Sequence, residues 1–166
     1  MTHRFLFSHS GLFYRNSWSL VFIAATILSA GSIILLATAI KWGWYIPGTS
    51  AWMMDRSAGS ILLIEALLAP LLETLLFQLT PYRLTNKFSL KKWPRILVYT
   101  IPFTLCHLDS WSGVRALNAL FCGIGLMWLF EDRAQAGTET DAFLATFSAH
   151  ALHNAFVMLI VLLIWP

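Results

Sequence analysis

Six ionisable side chains lie inside apolar runs of this chain: Glu65, Glu73, His107, Arg115, His150 and His153. A charged group in hydrocarbon costs roughly 2.5–3.5 kcal/mol on insertion scales, so each needs a partner or a task. Asn154 stands four residues after His150, on the same helical face, and Phe103 and His107 repeat that spacing. Glu73, His107 and His150 make a carboxylate and two imidazoles, which together hold a water and take its proton. A carboxylate in a low-dielectric site is a stronger base than in water, which suits it to that work near neutral pH. An imidazole and a carboxamide such as His150 and Asn154 then donate hydrogen bonds to a tetrahedral oxyanion. Two His, one Glu and an open position for water also describe a zinc site, so metal-free and zinc chemistry both remain open.

The elements that position these groups are membrane helices. Of the 166 residues, 58% are hydrophobic and 11% charged, whereas soluble domains carry about 25% charged residues. Too little polar surface remains to coat a soluble particle, and one domain spanning residues 1–166 is expected. Crossing a hydrocarbon core takes about 20 apolar residues. Trp18–Ile40, Ser57–Leu79 and Ala142–Ile164 meet that length, while Pro94–Leu108 and Gly113–Phe130 form a hairpin whose first arm is short or tilted. The expected fold is therefore an all-α integral membrane protein, a bundle of about five transmembrane helices. The segment Met1–Asn16 does not read as a cleavable signal, because the apolar run after it is too long for one.

Basic residues set the orientation. Arg83, Lys87, Lys91, Lys92 and Arg95 fall in the loop between the second and third crossings, which is expected to be cytoplasmic. The N-terminus and the Glu131–Asp141 loop then lie on the same side, and the C-terminus opposite. The formal charge of +3 sits between apolar runs, as membrane-flanking charge does, so lipid is the expected partner and nucleic acid is not. All eight tryptophans fall near expected helix ends, where indoles favour the headgroup region. Cys106 and Cys122 lie in apolar runs and are expected as reduced, buried thiols. Counting about 1.5 Å per residue from the cytoplasmic boundary, Glu73 lies about 10 Å in, His150 about 13 Å, His107 about 18 Å and Asn154 about 19 Å. One pocket in the cytoplasmic half is the expectation.

Three segments resemble the motifs of the CPBP or Abi intramembrane proteases, which include the type II CAAX prenyl endopeptidases. Ala69-Pro70-Leu71-Leu72-Glu73-Thr74-Leu75-Leu76-Phe77-Gln78 is similar to the Glu-Glu-x-x-x-Arg run, with Thr74 and Gln78 in place of the second Glu and the Arg. Phe103-Thr104-Leu105-Cys106-His107 is similar to Phe-x-x-x-His, and His150-Ala151-Leu152-His153-Asn154 to His-x-x-x-Asn/Asp. The resemblance covers roughly residues 60 to 160. It implies an intramembrane endopeptidase of a bacterial or archaeal cell membrane acting on a membrane-associated peptide or protein. Glu73 would be the water-activating base, His107 its helper, and His150 and Asn154 the oxyanion donors. It does not demand a bound cofactor, and zinc is the alternative.

Each residue also has a plainer reading. Glu73 alone reads as a carboxyl hydrogen-bonded between helices, and His107 alone as an interface histidine. Glu65 reads best as a partner of Arg115 on the fourth helix, and His153 as structural. Gly113, Ala116, Ala119, Gly123 and Gly125 read as close helix packing. A non-catalytic immunity or scaffold protein that keeps the fold is the alternative function, and a proton or solute carrier a third. Cysteine labelling checks the topology: Lys91 and Lys92 should be reached from the cytoplasm and Trp165 from outside. Cytoplasmic labelling beside Trp165 rules out five crossings.

Overall fold

The computed structural model describes residues 17–43, 56–88, 90–108 and 113–164. Among these residues the chain forms five helices and no strand. They are α1 (Ser17–Lys41), α2 (Ala58–Thr85), α3 (Lys92–Cys106), α4 (Gly113–Ala136) and α5 (Glu139–Ile164). All but α3, at 15 residues, are long and apolar enough to cross a membrane. The protein is an all-α integral membrane protein. Its outer surface carries Phe22, Ile34, Leu72, Val98, Leu117 and Leu159 exposed, as suits a bundle whose solvent is lipid.

Helix α5 is the centre of the bundle, packing on α1, α2 and α4, while α3 packs on α4 and α2. One core joins Val21 and Leu28 of α1 to Cys122, Leu126 and Leu129 of α4 and to Ala145 and Ala149 of α5. A second joins Tyr82, Ile96, Tyr99, Met127, Phe130 and Ala142. Glycine makes the close approaches possible. A Cβ on Gly123 would lie 2.9 Å from both Phe103 Cδ1 and Thr100 Cγ2, so α3 seats directly on the α4 backbone there.

Two expected boundaries move. Helix α4 continues through Glu131, Asp132 and Arg133 to Ala136, so the loop expected over Glu131–Asp141 shrinks to Gly137 and Thr138. The physical reason is a buried ion pair: Arg95 Nε lies 2.7 Å from Glu131 Oε1, with the Glu131 side chain fully buried. Gln135 donates to Glu131 Oε2 at 3.3 Å, and the Arg95 guanidinium lies 5.6 Å from the Tyr82 ring. The turn itself is a capping box. Thr138 Oγ1 accepts from the Asp141 N–H at 3.1 Å, and Asp141 Oδ2 accepts from the Thr138 N–H at 3.1 Å.

Helix α2 likewise runs past Leu79 to Thr85, through Pro81. Measured from these helix ends, Glu73 and His150 lie about 16–18 Å along their helices, and His107 and Asn154 about 22 Å. The cluster is nearer mid-span than the expected place in the cytoplasmic half. Cys122 is buried as expected, but Cys106 is exposed on the outside of α3. Trp44, Trp52, Trp111 and Trp165 lie outside the described residues, as does the topology marker at residue 165.

The Arg95–Glu131 pair should matter far more than the exposed Arg83–Glu139 pair, whose 2.8 Å contact is open to solvent. Glu131→Ala should cost about 3–5 kcal/mol by stranding Arg95. Arg83→Ala should cost no more than about 1 kcal/mol. Thermal unfolding in detergent compares them, and equal losses would contradict the assignment.

Candidate active site

Glu73 sits in a short α-helical stretch of α2, Ala69–Thr74, between two π turns at Ile64–Leu68 and Leu75–Leu79. A proline follows closely after each turn, Pro70 and Pro81. Proline has no N–H to continue the helical ladder, and π turns are the usual local adjustment. At the second turn the Leu75 carbonyl accepts both the Thr80 N–H and, at 2.8 Å, the Thr80 hydroxyl.

The carboxylate of Glu73 meets one imidazole at each oxygen. Oε1 lies 3.8 Å from His107 Nε2, and Oε2 lies 3.4 Å from His150 Nε2. His107 caps the C-terminal end of α3, where its Nδ1 donates to the Phe103 carbonyl at 2.8 Å. A carbonyl oxygen only accepts, so in the neutral ring Nδ1 holds the proton. Nε2 then turns a lone pair towards Glu73 Oε1. Two acceptors 3.8 Å apart leave room for one water to one side that donates to both. His150 is buried on α5, and its Nδ1 has no hydrogen-bond partner among the described residues. With Nε2 protonated, it faces Glu73 Oε2 favourably.

Phe103 frames both rings, its centroid 4.5 Å from that of His107 and 6.2 Å from that of His150. Phe77 packs edge-on against it at 5.5 Å. Gly123 leaves room for this ring on the α4 side. The Phe-x-x-x-His spacing therefore places the wall of the site and its second imidazole together.

Asn154 lines the same cavity, one turn beyond His150, and its Nδ2 donates to the Glu65 carbonyl at 2.9 Å. Glu65 and Arg115 line that cavity as well. His153 turns towards α1 and α4, its Nδ1 3.2 Å from Ser29 Oγ and its Nε2 3.5 Å from Cys122 Sγ. Ser32 Oγ lies 3.5 Å from the same sulfur. Ser29 and Ser32 are polar groups that the sequence reading passed over. The signal was the i, i+3 pair of serines, Ser29 and Ser32, in the middle of α1. Thr74 and Gln78, at the two substituted motif positions, are both fully buried in α2.

The cavity measures about 400 Å3. Glu73, His107 and His150 form its polar end, and Ile33, Leu36, Val157 and Val161 supply apolar wall. All five helices contribute to it, with α1 closing one side.

A family profile for type II CAAX prenyl endopeptidase Rce1-like proteins matches residues 55–156. The chain belongs to this family. No curated protein and no solved structure matches it. The match begins before α2 and ends within α5, so it takes in Glu73, His107, His150 and Asn154 and leaves α1 outside. Membership in the Rce1-like family supports a protease function and a membrane-associated protein substrate, and the four long apolar helices place that function in a membrane.

Among the described residues no group of three or more His, Cys, Asp and Glu side chains is arranged to hold a metal ion. Protein purified without chelators is expected to carry no stoichiometric zinc, measured by elemental analysis. About one zinc per chain, lost on changing His107 or His150, would establish the zinc alternative instead.

Proposed function

We propose that this chain is an intramembrane endopeptidase that hydrolyses a peptide bond with a water activated by Glu73 and His107. The observation that carries the reading is the Glu73 carboxylate held between the Nε2 atoms of His107 and His150, from two other helices. A water bound beside this pair, off the 3.8 Å line between them, donates to Glu73 Oε1 and His107 Nε2. As its oxygen attacks the substrate carbonyl, Glu73 takes one proton, and the carbonyl oxygen becomes an oxyanion. Once Glu73 has taken the proton and lost its charge, the His150 Nε2–H that faced its Oε2 turns to the oxyanion as its donor. Collapse breaks the C–N bond, and the proton held by Glu73 passes to the leaving amine. The products are a carboxylic acid and an amine, with water the only other reactant.

The apolar wall of the cavity suits a substrate presented from the lipid phase, where binding an extended apolar segment leaves the scissile carbonyl at the polar end. Family membership makes a prenylated CAAX peptide the natural first probe. No observation favours the non-catalytic scaffold reading over this one.

Glu73→Gln keeps the volume of the side chain but cannot take a proton. Cleavage of a quenched fluorogenic prenylated CAAX peptide by purified protein should fall by at least about 10²-fold, with the melting temperature nearly unchanged. His107→Ala should be comparably damaging. A Glu73→Gln protein that cleaves at close to the parent rate sinks the mechanism, and one that also retains its role in cells supports the scaffold reading.

A further inference from the structure

The backbone of α2 leaves one acceptor without a donor, close to the site. In the π turn Ile64–Leu68 the Ala69 N–H bonds to the Ile64 carbonyl, five residues back. In that register the donor for the Glu65 carbonyl would be residue 70. Residue 70 is a proline and has no N–H. Ala69, the α-helical alternative, already serves Ile64. An unpaired carbonyl within a membrane bundle costs several kcal/mol, so it draws a donor from elsewhere. Asn154 Nδ2 is that donor, at 2.9 Å across the α2–α5 contact. The partner also fixes the amide orientation, because only the NH2 end can donate to a carbonyl oxygen.

We propose that Asn154 is a positioning residue: its amide replaces the backbone donor that Pro70 lacks, tying the π turn of α2 to α5 so that Glu73 stays opposite His150. The tether and the contact it protects are borne by the same two helices. Asn154 lies one turn from His150 on α5, and the Glu65 carbonyl belongs to the irregular turn immediately before the Glu73 stretch. A π turn is the place where a helix most readily changes register, and a shift there would rotate Glu73 away from the 3.4 Å contact with His150. The functional consequence rests on the peptidase reading, whereas the tether itself does not.

Two substitutions and their combination test this. Asn154→Leu keeps the approximate size and removes the donor, and Pro70→Ala returns a backbone N–H to residue 70. With the fluorogenic prenylated CAAX peptide, Asn154→Leu should lower kcat per folded molecule by up to about 10²-fold, the scale of a displacement of about 1 Å, with little change in KM. In the Pro70→Ala background the same substitution should cost much less, because the Glu65 carbonyl then has a donor in its own helix. A residue acting as oxyanion donor would instead lose about 10²–10³-fold in either background. Melting temperatures give a second cycle that needs no turnover: Asn154→Leu should lower the melting temperature of the parent more than that of the Pro70→Ala protein. Equal losses of kcat in the two backgrounds overturn the proposal, as does unchanged kcat on removing the amide from the parent. If Pro70→Ala is itself inactive, additive melting shifts overturn it and non-additive shifts support it. Failure of the peptidase reading looks different, since Glu73→Gln would then stay active while the melting cycle remained coupled.

Discussion

The Glu73 carboxylate has to exist in a lipid-embedded bundle, and most of the irregular features nearby follow from that demand. In hydrocarbon its charge would be prohibitive without polar neighbours. It is met by imidazoles from α3 and α5, one at each oxygen. Neither imidazole is loose: His107 is fixed by the Phe103 carbonyl and both rings pack on the Phe103 side chain. That ring in turn lies over Gly123 of α4. A single half-buried carboxylate therefore ties together relations among four helices.

Helix α2 carries the carboxylate through an uneven path. Pro70 and Pro81 remove two backbone donors, and π turns precede both. Freed carbonyls inside a membrane must be satisfied by side chains, since water is scarce. Asn154 serves the one at the first turn from α5, whereas the Thr80 hydroxyl at the second only adds to a Leu75 carbonyl that the Thr80 N–H already serves. The difference matters for function. A donor on the same helix only repairs it, whereas a donor on a neighbour also couples the two.

The end of the bundle where α4 turns into α5 is built differently, from a buried ion pair and a tight turn. Arg95 and Glu131 join α3 to α4, with Tyr82 of α2 beside the guanidinium, and Thr138 with Asp141 closes the turn into α5. Such a rigid base suits a site that must hold groups from three helices within fractions of an ångström. Helix α1 stands apart from this frame and outside the family match, yet it lines the cavity and binds His153 through Ser29. It adds a wall and the Ser32 hydroxyl to a site whose carboxylates and imidazoles all come from other helices.

Hydropathy alone determined that the protein spans a membrane and roughly where its helices run, because apolar length is a one-dimensional property. The three motif spacings likewise marked Glu73, His107, His150 and Asn154, since residues four apart share a helical face whatever the packing. Boundaries that depend on partners were not legible. The extension of α4 through Glu131 and Arg133 looks like a polar loop until Arg95 is seen beside it. The His-x-x-x-Asn spacing picked out His150 rather than His153, three residues on, but not what each meets: only the packing turns one to Glu73 and the other to Ser29 and Cys122. The role of Asn154 shows the same limit. Its sequence neighbours place it beside the site, but the acceptor it serves is created by a proline 84 positions earlier, on another helix. A hydrogen bond of that kind exists only after the chain has folded back, and so only the tertiary structure decides it.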